Sequence, residues 1–363
     1  MSSRYFLKKF ASNIFKNFLS AIPQGSSSIR SSKDVLVIRQ HNQFGDMLAS
    51  VSLFRAIKES LPESKITLLA SPENYYAVSQ NEFIDELFVF EKKKLINPEY
   101  YLQLKNLLKR GFDLAIVPVT VAVSSTSCIL AGLSKAKIKI GPGSLNGKVN
   151  ENAFVFTYPV DLDWKKCPDA HVSDFILDIV RPFGIKTKNF SSSISFREED
   201  RKFVNYFINS LNAHKKIIVG FHVGAGKPQN KWPLEKFIEL IEKMKRVIDF
   251  HFYFTGSAAD DEEIKLMKKH FASEPGYFLD NTVPQLAALI SASNLFITND
   301  TGVMHVAGAT ATPQISLFGP TNPFNWAPVG STKYFLRKSE LVDDITIDDV
   351  YNLVKYIFEK HLK

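Results

Sequence analysis

From residue 35 onward the chain alternates short apolar runs with longer stretches whose apolar positions recur at helical spacing. "VLVI" (35–38), "ITLL" (66–69), "LFVF" (87–90) and "LAIV" (114–117) are rich in β-branched and large apolar residues, as strands buried on both faces require. Between the first two, Met47, Val51, Phe54, Ile57 and Leu61 fall three or four apart, which predicts an amphipathic helix with one face on the sheet. Such alternation is βαβ patterning, so a buried parallel sheet is expected.

Residues 184–200, "GIKTKNFSSSISFREED", are polar and poorly periodic, after which the alternation resumes. "IIVGF" (217–221), "FHFYF" (250–254), "YFL" (277–279), "LFIT" (295–298) and "QISLF" (314–318) form a second series. Two βα series joined by a linker predict two doubly wound domains, over 34–190 and 195–340, with a cleft between them as the natural ligand site. A final segment, 341–363, reads as a helix whose Thr346 stands three residues before Asp349, a capping signal.

At 363 residues and 45% hydrophobic, the chain is long enough for about two cores. Two cysteines, Cys128 and Cys167, make a disulfide framework improbable and are expected only to pack. The formal charge of +8 is concentrated at one end. Residues 1–33 carry six basic and no acidic residues, leaving 39 basic against 37 acidic in the rest. That near-neutral body argues against a nucleic-acid partner. In the N-terminal segment, Phe6, Phe10, Ile14 and Phe18 recur every four residues, while lysines interrupt any run long enough to span a bilayer. Three readings stay open for it: a basic amphipathic helix on an anionic membrane surface, a transit peptide, or a helix packed on the body.

In an open parallel sheet, ligands gather where helix N-termini meet the carboxyl ends of strands, because free N–H groups and the helix dipole attract anions there. Three stretches fall at such ends. In "IRQHNQFGDMLASV", Gly45 permits a tight turn and Asp46 opens the next helix, either as its cap or as a general base toward a sugar hydroxyl. In "GFHVGAGKPQNKWPLEKFIELI", Gly224, Ala225 and Gly226 leave backbone N–H groups open to a ligand. Lys231 there is either a point charge for a phosphate or a surface lysine; the Walker order is absent.

The third stretch, "LFITNDTGVMHVAGATATPQISLFGPT", places Asp300, Thr301 and Gly302 in the first turn of a helix, with small residues 307–311 letting it press close to the sheet. It suits a diphosphate, His305 either leaning toward the phosphates or sitting satisfied in the core. "FGPTNP" repeats the theme with Gly319 and Thr321. The acid run Asp260, Asp261, Glu262, Glu263 is either a solvated helix face or a source of one carboxylate for ribose hydroxyls. The histidines are scattered, and no zinc spacing, nucleophile elbow or Rossmann glycine fingerprint is present.

Taken together, "RQHNQFGDMLASV", "HVGAGKPQNKWP", "FTGSAAD" and "NDTGVMHVAGATATPQISLFGPTNP" resemble the ADP-heptose:lipopolysaccharide heptosyltransferases of glycosyltransferase family 9, over about residues 34–335. The resemblance implies an α/β GT-B fold: two doubly wound Rossmann-like domains facing each other across a cleft, acceptor domain first and nucleotide-sugar domain second. The terminal helix would return toward the first domain. It also implies inverting, metal-independent sugar transfer with no cofactor beyond the nucleotide diphosphate sugar. On the matching positions, Asp46 would be the general base and Lys231 would neutralise the leaving diphosphate. Gly224, Ala225, Gly226, Asp300, Thr301, Gly302, His305, Gly319 and Thr321 would line the donor site, with Asp260 or Glu262 at the ribose. Ser52 stands where many members carry Pro, and the Gly-Ala-Gly run replaces a Thr pair. The partners implied are a nucleotide-sugar donor and a lipopolysaccharide or other glycolipid acceptor, at the cytoplasmic face of the inner membrane; residues 1–33 lie outside the shared region, and an anionic membrane is their partner on the first of the three readings above. Two rivals use the same fold: a nucleotide-sugar epimerase and a non-catalytic sugar-nucleotide binder.

Overall fold

A computed structural model describes residues 26–40, 44–211 and 217–361. The stripe Phe6, Phe10, Ile14 and Phe18 lies outside the described residues. The chain divides into two compact units between Phe190 and Ser191, inside the polar stretch that predicted a linker.

The first unit contains strands β1 (Asp34–Arg39), β2 (Lys65–Ala70), β3 (Glu86–Val89), β4 (Leu114–Ile116), β5 (Ile138–Leu145), β6 (Lys148–Val149) and β7 (Tyr158–Leu162). Their order is β3-β2-β1-β4-β5-β6, with β7 also on β5, and every pairing but β5–β6 is parallel. β1 and β2 are buried at every position after the first, which is why their sequences carry unbroken apolar runs.

The predicted helix over 47–61 is two helices, Phe44–Ala49 and Val51–Ser60. Ser50 interrupts them, its hydroxyl donating to the Asp46 carbonyl. Ser52, the departure from the family's Pro, sits inside the second helix and donates to Ser173 O at 2.6 Å. That bond ties it to the short helix Val172–Phe175.

The second unit is a six-stranded, wholly parallel sheet: β8 (Ile217–His222), β9 (Phe250–Gly256), β10 (Gly276–Leu279), β11 (Leu295–Asn299), β12 (Gln314–Leu317) and β13 (Lys333–Leu336), in the order β10-β9-β8-β11-β12-β13. The last helix, Ile347–His361, begins with the expected cap: Asp349 accepts from Thr346 N and Thr346 Oγ1 from Asp349 N. Its buried face packs within its own unit. Val350, Tyr351, Val354 and Ile357 join Trp232, Phe237, Leu240 and Ile241 in the core of their own unit, and Lys243 pairs with Asp348. The apolar stripe of helix Leu234–Lys245 was the available partner.

Among the small residues of "HVAGATA", Gly308 has a near neighbour other than the sheet. A Cβ on Gly308 would lie 2.4 Å from Pro328 Cβ, so the close approach at this position is to the loop after β12. The cysteines also part company. Cys128 is buried and its thiol is pushed up to about 11 by that burial, whereas Cys167 is exposed and does not pack. Among the described residues no helix is long and apolar enough to cross a membrane.

Trp232 joins β11, its own loop and the C-terminal segment. It is fully buried, its backbone N–H donates to Asn299 Oδ1 and its Nε1 donates to Ile345 O at 2.9 Å. Replacing Trp232→Ala removes a large buried ring and leaves a carbonyl short of a donor, so unfolding of the second unit in urea should require about 3–5 kcal/mol less. An unchanged denaturation midpoint would show that this ring does not connect the C-terminal segment to the core.

Candidate functional site

Both sheets reverse their strand order beside the first strand of their unit, so each has a switch point: between β1 and β4, and between β8 and β11. In the first unit Arg39 is the last residue of β1, and its side chain is buried. Its Nη2 donates to Thr120 Oγ1 at 2.8 Å and lies 3.7 Å from Asp46 Oδ2; Thr120 in turn donates to Asp46 Oδ1 at 2.8 Å.

Asp46 lies within the first turn of its helix at 1% exposure, its carboxylate toward Arg39 and Thr120. Burial pulls the Arg39 guanidinium down from its usual range, and the Asp46 carboxylate opposes that shift. Thr120 is held from the other side, its carbonyl accepting from Trp164 Nε1 at 2.8 Å while that indole stacks on Phe175. Neither Arg39 nor Thr120 was singled out from the sequence. Arg39 is visible only as a charge ending an apolar strand, and Thr120 lies 74 positions from Asp46.

Beside this cluster, a cavity of about 710 Å³ opens at the carboxyl ends of the strands. It is lined by Gln40, Ser71, Glu73, Lys92, Lys93 and Ser124, among others.

In the second unit the β8–β11 switch point collects most of the predicted donor residues. Asn299, at the end of β11, donates to the carbonyls of Val223 (2.9 Å) and Gly224 (3.2 Å). With its bond to Trp232 N, it holds the loop after β8 at both ends. Asn230 Nδ2 donates to Asp300 Oδ2 at 2.9 Å and to its carbonyl at 3.2 Å. Burial raises the Asp300 carboxyl above the usual carboxylate range, while a bond to Thr321 and the charge of Lys227 pull it back. Ala225, Thr301 and Gly302 complete this surface.

The helix itself starts at Gly302, two residues later than predicted, with Thr301 at the cap position in extended backbone and its side chain not capping. A Cβ on Gly226 or Gly302 would meet nothing within 4 Å, so no packing inside the chain requires glycine there. Lys333 ends the same helix: its Nζ donates to Ala307 O and Thr312 O, and burial pushes its ammonium down to about 7.

The acid run divides by helical face. Asp260 turns inward: Oδ2 accepts from Ser257 N and Oγ, and Oδ1 lies where a Cβ on Gly224 would come within 1.9 Å. Glu262 is exposed. The acid brought to the predicted diphosphate lysine is Glu263, bonded to Lys231 Nζ. Its place was legible, because residues three apart share a helical face and Glu263 follows Asp260 by three.

His222, at the end of β8, is another residue the sequence reading passed over. Burial lowers its imidazole, opposed by Asp260, and Nδ1 lies 3.1 Å from Thr255 O. His305 is half-buried and edge-on to Trp326. Gly319 is held by packing, since its Cβ would lie 2.9 Å from Val342 N. Its carbonyl accepts from Arg337 Nε. Among the described residues no three His, Cys, Asp or Glu side chains gather as metal ligands.

Two doubly wound parallel-sheet units, each with its polar residues at the switch point, define the GT-B class of α/β glycosyltransferase folds. Residues 102–347 match the family model described as glycosyltransferase family 9 (heptosyltransferase). The chain belongs to this family and is a glycosyltransferase.

It is 24% identical over 293 residues to lipopolysaccharide heptosyltransferase 3 of Escherichia coli, covering 78% of this chain and 82% of the relative. It is similar at 24% over 300 residues to a lipopolysaccharide core heptosyltransferase of Haemophilus influenzae, covering 81% of each. Among solved structures, a family 9 glycosyltransferase from Veillonella parvula superposes with a TM-score of 0.78 at 21% identity, over 90% of this chain and 97% of the other. The E. coli ADP-heptose lipopolysaccharide heptosyltransferase II gives 0.73 at 20%, over 91% and 100%. These likenesses establish the shared fold.

Removing either member of the buried cluster should be costly. Arg39→Met removes the cation that lies 3.7 Å from the buried Asp46 carboxylate, an expected loss of about 3–5 kcal/mol. Thr120→Val strips one bond from each partner and should cost about 1–3 kcal/mol. Chemical denaturation measures both; equal stability of Arg39→Met and wild type would mean the pair is not held together in solution.

Proposed function

We propose that this glycosyltransferase moves heptose from ADP-heptose to a lipopolysaccharide core acceptor, by an inverting displacement that needs no metal and no cofactor. The choice of sugar and acceptor is supported by the names of the relatives. The observation that carries the donor assignment is the β8–β11 switch point. There Gly226 and Gly302 leave room for close approach beside Asp300, Thr301 and Lys231.

In this reading the acceptor lies in the cavity at Gln40 and Ser124, and the Asp46 carboxylate takes the proton of its hydroxyl. The freed oxygen forms the new bond to the anomeric carbon from the side opposite the nucleotide, and the bond to the diphosphate breaks with its electron pair leaving on phosphate. Lys231, the N–H groups of residues 224–226 and the turn at Thr301 and Gly302 meet that charge, each well-placed donor contributing about 3 kcal/mol. His305 and Thr321 border this turn and Gly319 shapes the following loop. With Asp260 held in its cap, the exposed Glu262 meets the ribose hydroxyls. The enzyme works at the cytoplasmic face of the inner membrane; within the basic segment 1–33, Ile29 and Ser32 are buried in the first unit and take no part in a lipid contact.

Because Asp46 acts only on the acceptor proton, Asp46→Asn should lower turnover by roughly 10²-fold or more while ADP affinity stays near wild type. Turnover within a few-fold of wild type would leave Asp46 as the partner of Arg39 and nothing more.

Lys231→Ala should weaken ADP binding by roughly ten- to a hundredfold, the worth of about 1.5–3 kcal/mol for a bond to a charged group. Since that change also strips Glu263 of its cation, Lys231→Ala with Glu263→Gln separates the two effects. Calorimetric affinities for ADP equal to wild type in both variants would remove Lys231 from the donor site.

A further inference from the structure

Beyond the two switch points, one exposed surface combines charge and apolar side chains in a way that packing within the chain does not explain. It follows β3, the edge strand of the first sheet, and consists of the 3₁₀ turn Lys92–Ile96 and the helix Pro98–Lys109. That helix buries Leu104, Leu107 and Leu108. At about 100° per residue, Tyr101, Leu102, Lys105 and Lys109 fall in one exposed sector of about 100° that flanks the buried leucines. Tyr101 is 52% exposed, Leu102 53% and Ile96 91%.

Residues 91–110 hold six basic residues against two acidic, in a body otherwise nearly balanced, and Glu91, one of the acids, is paired with Lys94 at 2.6 Å. Large apolar side chains interleaved with lysines are a poor match for the core of a protein interface, where lysine is depleted. They are a good match for the boundary between anionic head groups and acyl chains, where Ile, Leu and Tyr enter the interface and lysine stems extend to the phosphates.

We propose that this rim, residues 92–109, rests on an anionic bilayer surface. The proposal does not depend on residues 1–33 or on which sugar or acceptor the enzyme uses. Its position has a consequence for access. The turn Lys92–Ile96 leaves the carboxyl end of β3, the same edge of the sheet on which β1 ends at Arg39, and Lys92 and Lys93 already line the cavity there. A bilayer under this rim brings a membrane-anchored acceptor to the mouth of that cavity.

The test is co-sedimentation of the full chain with vesicles of phosphatidylcholine alone or doped with phosphatidylglycerol. Wild type should bind the anionic vesicles preferentially, and salt should weaken the binding without abolishing it, since the apolar contacts are not screened. Lys105→Glu with Lys109→Glu, and separately Ile96→Ser with Leu102→Ser, should each lower the partition coefficient roughly tenfold or more. The first pair should act mainly at low salt and the second at both. As a second measurement, an environment-sensitive dye on Ile96→Cys, in a Cys167→Ser background, should shift to the blue when anionic vesicles are added.

Wild type that fails to bind, or variants that bind as wild type with no dye shift, would overturn the proposal. So would variants whose vesicle binding is unchanged while light scattering shows an altered oligomeric state, because the rim would then be a protein interface. A failure of ADP binding or of transfer with normal vesicle binding would instead count against the donor and acceptor assignments alone.

Discussion

A parallel strand buried on both faces has no solvent-facing side for a charged group except at its ends, and this constraint shapes both units. β1, β2, β8, β11 and β12 are almost wholly buried along their length, so helices must cover both sides and charge is driven to the carboxyl edge. Arg39, His222 and Asn299 are the final residues of β1, β8 and β11. Each is a large polar side chain buried where its strand stops; Arg39 and Asn299 are bonded across the switch point to a neighbouring loop, and His222 to Thr255 on β9. The large polar and charged side chains of these strands therefore collect at the strand ends, while the small Thr67, Thr298 and Ser316 are buried within them.

Burying such groups is unfavourable unless each finds a partner, and the partners come from distant sequence. Arg39 meets Asp46 and Thr120; Asn230 meets Asp300; Lys231 meets Glu263. The result is a set of side chains positioned by neighbours more than by their own backbone. That is how Asp46, only two residues into a six-residue helix, is held in place: a helix this short has little stability of its own, so the cluster with Arg39 and Thr120 does the positioning.

This also marks what the sequence could disclose. The β1, β2, β8, β11 and β12 strands and the Asp349 cap were legible because each depends on residues close together in the chain. β5 was not: "IKIGPGSL" contains Gly141, Pro142 and Gly143, which read as breakers. Gly141 is glycine because a Cβ there would lie 2.2 Å from the Phe156 ring, and the register shifts just after Pro142. β13, half-exposed at the sheet edge, carries the same "YFL" run (334–336) that marked β10, and was passed over. Within the site, loops and charges were found but pairings were not, since Thr120 and Asp46 lie on different βα units and no local pattern joins them.

The glycines show how far a residue type can be taken as evidence of ligand approach. Seven of them fall in motifs that resemble the family, and four of these answer to different physics. Gly224 is required by the Asp260 carboxylate and Gly308 by the Pro328 ring, both internal neighbours that would collide with a Cβ. At Gly226 and Gly302 a Cβ would meet nothing, and neither residue has the positive φ that would demand glycine for backbone reasons. Packing and conformation thus account for the first two and leave the second two without an internal cause. The case for close approach by a diphosphate rests on Gly226 and Gly302, and it is stronger for excluding Gly224 and Gly308.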